Sequence, residues 1–283
     1  KYLIFMVIYI MMSFVLARLS DYEKIGRIDK ISLPEQTLME LLVSGLSDRA
    51  YFCDVDGEFL NIDVWKGVSM NSEHVFSIFW VRNGFYFADD VDILSPAAGG
   101  SIMLQWLPSR LTQLHLSGLR LEGDFNTNDL PRELKDLNCA ENKLQGSLRA
   151  ESLPRSLTRI NLSSNALFGT IDFLRLPQGL QLCVLANNRF DGKVSVRAFP
   201  KSIERMFLHK NDFSGIADLS EIPEKLDFLL LQSNKFDEVA SIPEQFPAAL
   251  RFLAIDDSFL DSLQARQLGP HVCFSKSSHG VIK

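Results

Sequence analysis

The chain has 283 residues, 46% hydrophobic and 23% charged, a balance that excludes extensive disorder and supplies apolar material for one or two packed domains. The formal charge is −6 with no basic patch, so nucleic acid is not an expected partner. Four cysteines are too few for a disulfide scaffold, and phenylalanine dominates the aromatics, 21 against 5 tyrosines and 3 tryptophans.

In chain order, Lys1 precedes an uncharged run from Tyr2 to Ala17. The run is long for the apolar core of an export signal and short for a bilayer-crossing helix. Val15 and Ala17 place small residues before a cleavage point after Ala17. Three readings stay open: a cleaved signal peptide, a retained signal anchor tethering the chain through residues 2–17, and a buried core helix. Residues 18–71 then read as an N-terminal cap. Within it Pro34–Leu46 predicts an amphipathic helix, with Ser32 ahead of the first turn and Leu38, Leu41, Leu42 and Leu46 along one side.

Residues 72–260 are organised by repetition. An apolar residue followed by proline recurs at Pro108, Pro131, Pro154, Pro177, Pro200, Pro223 and Pro247, spaced by 23 residues and once by 24. Apolar residues follow each proline at three, six and eight positions. Asparagine stands eleven positions on in Asn142, Asn165, Asn188, Asn211 and Asn234, while Leu119 and Ser258 break that column at its ends. Leu or Phe comes at thirteen and, in most copies, Gly at fifteen. An upstream copy, Val75, Ile78, Trp80, Asn83 and Phe85, fits the same columns, with an insertion near residues 88–106 that reads as a surface loop. About eight coils result. Asp261–Leu268 predicts a short helix closed by Gly269-Pro270, so residues 261–283 form a C-terminal cap and polar tail.

These columns spell L-x-x-L-x-L-x-x-N-x-(L/F)-x-G, and the sequence resembles the leucine-rich repeat proteins over residues 107–260. Trp65-Lys66-Gly67-Val68-Ser69 is similar to the W-x-G-V-x-C that ends the N-terminal cap of plant-type extracellular members, with Ser69 in place of the cysteine that closes a disulfide there. The resemblance is closest to the exported or surface leucine-rich repeat proteins of protists, kinetoplastids in particular. It implies an α/β fold: a right-handed leucine-rich repeat solenoid, or horseshoe, with a parallel β-sheet on its concave face, an irregular or 3-10 convex side and a helical N-terminal cap. On that frame the L-x-L pairs turn inward as short strands. The column Asn83, Asn142, Asn165, Asn188, Asn211 and Asn234 is structural, its amides pairing with the backbone of neighbouring coils. Cys139 and Cys183 fall in inward columns as buried thiols.

No G-x-S-x-G, H-E-x-x-H or P-loop motif occurs, and Asp124, Asn126 and Asn128 begin a calcium-like loop whose later positions do not fit. The expected protein is therefore not an enzyme and carries no cofactor or metal. Residues five, seven and nine after each proline face the concavity. The first coils are polar there; the later ones carry Leu182, Val184, Phe207, Phe228, Leu230 and Phe252, flanked by Arg205 and His209. Such a patch predicts a protein or peptide ligand bound in adhesion or recognition, with Val272–Phe274 folding over it, or self-association, as alternatives. The sole N-x-(S/T) sequon makes Asn161 the candidate glycosylation site. The expected location is the secretory pathway, cell surface or medium. The alternative is a structural subunit of a membrane-associated assembly, anchored by the N-terminal segment.

Overall fold

The structure is a computed structural model that describes residues 30–82, 95–240, 243, 245–256 and 272–275. Two units divide the chain, Lys1–Pro34 and Glu35–Lys283. The described part of the first holds one 3-10 turn, Lys30–Ser32. The run Tyr2–Ala17, Asn83, Ser258 and the helix expected at Asp261–Leu268 lie outside the described residues.

The second unit opens with helix α1, Glu35–Val43, which buries Leu38, Met39, Leu42 and Val43. It is shorter than the pattern predicts, and its buried stripe is turned: Met39 and Val43 are buried while Leu41 is half-exposed. The chain turns away at Gly45, whose missing Cβ would stand 2.5 Å from Ser101 Oγ. Strands β1 (Val68–Asn71) and β2 (His74–Phe79) form an antiparallel hairpin. Glu35 joins the helix to that hairpin, its Oε2 accepting from the Val75 N–H at 3.1 Å.

From there each coil lays down one short strand of the long sheet. These are β3 (Gln113–His115), β5 (Asp136–Asn138), β7 (Arg159–Asn161), β9 (Leu182–Val184), β11 (Arg205–Phe207), β13 (Phe228–Leu230) and β15 (Phe252–Asp256), ending in β16 (Val272–Ser275). With β1 and β2 they make ten strands, every pairing after the first hairpin parallel. A second set, β4 (Glu122–Asp124), β6 (Lys143–Ser147), β8 (Ala166–Thr170), β10 (Arg189–Asp191), β12 (Ser214–Asp218) and β14 (Lys235–Ala240), forms two shorter parallel sheets on the return path. Single 3-10 turns such as Ala150–Ser152 and Phe173–Arg175 precede the leucine-proline steps. The result is a parallel-sheet β-solenoid with a partly helical N-terminal cap.

The repeat columns explain this path. In each coil the residue three after proline returns its N–H to the proline carbonyl, at 3.0–3.2 Å in all seven copies, a turn that aims the chain into the next strand. The six-after and eight-after side chains then point inward, and Leu114, Leu116, Leu137, Ile160, Leu162, Met206, Leu208, Leu229 and Leu253 are buried. Just past β5, β7, β9, β11 and β13 stands a residue with positive φ: Glu141, Ser164, Asn187, Lys210 and Ser233, at 56–60°. This left-handed step swings the following asparagine into the coil.

The insertion is joined to its surroundings at its described end. Ser101 donates its N–H to the Gly45 carbonyl at 2.8 Å, and single bridges tie Gly100 to Leu46 and Ser101 to Glu122. At the other end β16 runs beside β15, with Leu253 opposite Val272 and Ile255 opposite Phe274. That segment therefore extends the sheet edge instead of folding across the face, which corrects the alternative expected for Val272–Phe274. Among the described residues no helix is long and apolar enough to cross a membrane, and no group of three or more His, Cys, Asp or Glu is placed to hold a metal.

Candidate functional site

The concave face divides as its rows do. On the N-terminal side, Asp136 of β5 is buried between two partners on neighbouring strands. Arg159 donates to its Oδ2 through Nε and Nη2 at 3.0 and 2.6 Å, and His115 Nε2 lies 3.2 Å from the same oxygen. Parallel register creates the cluster: Gln113 pairs with Asp136 and Asp136 with Arg159, so the three side chains share one face. Burial alone would push the Asp136 carboxyl up, but the hydrogen bonds from His115 and Arg159 outweigh it and hold the group below the ordinary carboxylate range. Phe79 of β2 stacks on His115 at 4.8 Å.

Asn161 follows on β7, half-buried. Its Oδ1 accepts from Ser163, from the N–H at 3.1 Å and the hydroxyl at 2.8 Å. The sequon thus lies on a strand and closes on itself.

The C-terminal side brings the expected apolar residues together. Register sets Arg205 between Leu182 and Phe228, and Phe207 between Val184 and Leu230. Phe207 meets Phe228 edge-on at 6.4 Å, and Phe228 meets Phe252 at 5.9 Å. Because the rings cover one another across strands, all six apolar side chains are half-buried and none is fully exposed. Guanidinium groups stand over the Phe228 ring from two sides, Arg205 at 5.5 Å and Arg251 at 5.3 Å. Arg251 also clasps the Asp227 carboxylate. His209, next along the row, is held below the usual histidine value by burial and by Lys210. The rows foretold Arg205; they missed Arg251 and Asp227, which sit one position before the strand. The only signal for them was the run of charged residues in that column, Glu204, Asp227 and Arg251, with opposite signs at the last two.

The asparagine column forms a ladder between coils. Asn142, Asn165, Asn188, Asn211 and Asn234 each accept at Oδ1 from an N–H of the preceding coil, at 2.9–3.2 Å. Each also donates through Nδ2 to a carbonyl of that coil, at 2.8–3.1 Å. Cys139 and Cys183 are buried free thiols, pushed up to about 12 by burial. A hollow of about 670 Å³ lies away from this face, beside the 3-10 turns, where Arg149 and Arg175 are balanced by Glu151 and Asp172.

A parallel strand in every coil, 3-10 turns on the return and an asparagine ladder between coils define the leucine-rich repeat fold. No protein-family model matches the chain, and no curated protein matches it. Solved structures do. One is a plant ice-binding protein, 19% identical with a TM-score of 0.52, over 79% of this chain and 78% of that one. Another is Pollen Receptor Kinase 3, 18% identical at a TM-score of 0.48, over 71% of this chain and 92% of that one. A third is the Arabidopsis receptor kinase HAESA in complex with the peptide hormone IDA and the co-receptor SERK1, 22% identical at 0.46, over 64% of this chain and 33% of that one. At 19% identity the likeness to the ice-binding protein concerns the fold alone.

Proposed function

We propose that this chain is a non-catalytic recognition module that binds a protein or peptide on its concave face, through Leu182, Val184, Arg205, Phe207, His209, Phe228, Leu230 and Phe252. The observation that carries this reading is the contiguous apolar field on four adjacent strands, β9 to β15. A rigid sheet that leaves such a field half-covered has surface to bury against a partner. We further infer an exported or surface protein of the protist type, its cap closed by packing in place of the family's disulfide, since Trp65, Phe52 and Trp80 pack at 4.5 and 5.0 Å where Ser69 has replaced the cysteine. Export rests on the uncharged run Tyr2–Ala17, and a glycan on Asn161 would leave only the apolar half of the face free.

The test is selection of binders from a displayed random-peptide library with the full chain. Phe207→Asp combined with Phe228→Asp should abolish binding of the selected peptides with the far-ultraviolet spectrum unchanged. Binding that survives this pair but fails with Asp136→Ala would move the site to the polar half.

A further inference from the structure

We infer that the concave site selects an extended peptide bearing a carboxylate side chain at one position and a bulky apolar side chain two positions on, the carboxylate docking on Arg205. This rests on the docking reading above and adds the chemistry of the ligand. Three arginines stand on or just ahead of the strands of this face, and two are already engaged: Arg159 by Asp136, Arg251 by Asp227. Among the described residues no carboxylate is hydrogen-bonded or ion-paired to Arg205, although its charge reaches Asp227, which Arg251 holds; Arg205 lies against the Phe228 ring with Leu182 on its other side. A guanidinium set on hydrocarbon has lost part of its water and keeps a planar fork free for a carboxylate. With a single cation whose fork is not hydrogen-bonded, and the Asp227 carboxylate already within its electrostatic reach, a singly charged carboxylate is matched better than a doubly charged phosphate.

The spacing comes from the strand. Arg205 and Phe207 are neighbours on one face of β11, two residues apart, about 6.6 Å along an extended chain. Side chains at i and i+2 of an extended ligand have the same separation, so a carboxylate on Arg205 sets the next same-side group over Val184, Phe207 and Leu230. One further step along, just past the ends of β11 and β13, His209 Nδ1 and Gln232 Oε1 are buried without a protein partner.

The probes are three fluorescent eight-residue peptides measured against the full chain: one with Glu and Phe at i and i+2, one with Gln for the Glu, and one with phosphoserine for the Glu. The Glu peptide should bind about ten-fold more tightly than the Gln peptide and more tightly than the phosphoserine peptide. Arg205→Gln should erase the difference between Glu and Gln, and Arg205→Lys should keep part of it. Equal binding of the Glu and Gln peptides, or a preference that persists in Arg205→Gln, overturns the inference. Tighter binding of phosphoserine overturns the choice of carboxylate. Loss of binding in Phe207→Asp with Phe228→Asp, while Arg205→Gln changes nothing, refutes the carboxylate and leaves the docking reading standing. Failure of every probe and of the peptide library refutes both.

Discussion

Asn188 shows what one side chain does for two coils. Its amide accepts from the Leu167 N–H and donates to the carbonyls of Leu162, Leu185 and Ala186. Leucine there would fill the volume and strand those backbone groups, so Asn188→Leu should cost about 1–3 kcal/mol, read as a lower midpoint in urea. Asp136 gives a second residue-scale expectation. Its folded-state pKa is lowered, so the stability it contributes is complete above the unfolded value of about 3.9 and disappears as pH falls through the folded value. Asp136→Asn should therefore be less stable than the parent at neutral pH, and the two melting temperatures should converge in acid. A gap that stays constant down to acid pH would mean that this carboxyl titrates alike in both states. The asparagine column was readable from spacing alone because its geometry repeats with the chain. The Asp136 cluster was not, since it needs the register between Gln113, Asp136 and Arg159, which no single coil contains.

At the scale of elements, the cap is the informative case. Trp65 donates its indole N–H to the Leu60 carbonyl at 2.8 Å and Trp80 to the Lys66 carbonyl at 3.0 Å, with Phe52 packed between the two rings. Gly67 lies in this crossing at φ 78°, and a Cβ on it would stand 2.4 Å from the Phe79 carbonyl oxygen. Both conformation and space exclude a side chain, so Gly67→Ala should lower the melting temperature by more than an exposed Gly57→Ala, whose Cβ meets nothing within 4 Å. The W-x-G-V pattern made this crossing legible. The end of α1 was not, because it is set by Ser101, more than fifty residues on, packing against Gly45. The same holds for Arg251: a strand pattern predicts which side chains share a row, but not that a residue ahead of the strand reaches a ring one coil back.

For the molecule as a whole, each coil leans on its neighbours, so opening should begin where neighbours are missing and spread inward. Cys139 and Cys183 report on that order from the middle coils, while Cys53 in the cap is half-exposed. The Cys139 and Cys183 thiols are buried and pushed up to about 12, so little thiolate exists there at neutral pH. Alkylation of the native chain should label Cys53 and spare Cys139 and Cys183 until denaturant opens the stack, as peptide mapping by mass spectrometry will show. Equal labelling of all three in buffer would mean that the middle coils open as readily as the cap.

The asparagine ladder also has a direction. Every amide serves the coil before it and is built by the coil that carries it, so a coil arrives with the means to satisfy its predecessor and waits for its successor to do the same. A copied stretch of 23 residues, inserted after Phe199 for example, would find its predecessor waiting and would leave the next coil's asparagine in register. The molecule can thus lengthen by whole units, about 4.8 Å of sheet at a time, without redesigning any junction. Each added strand brings its own three concave-face positions, so growth of the scaffold and widening of its recognition surface are a single event.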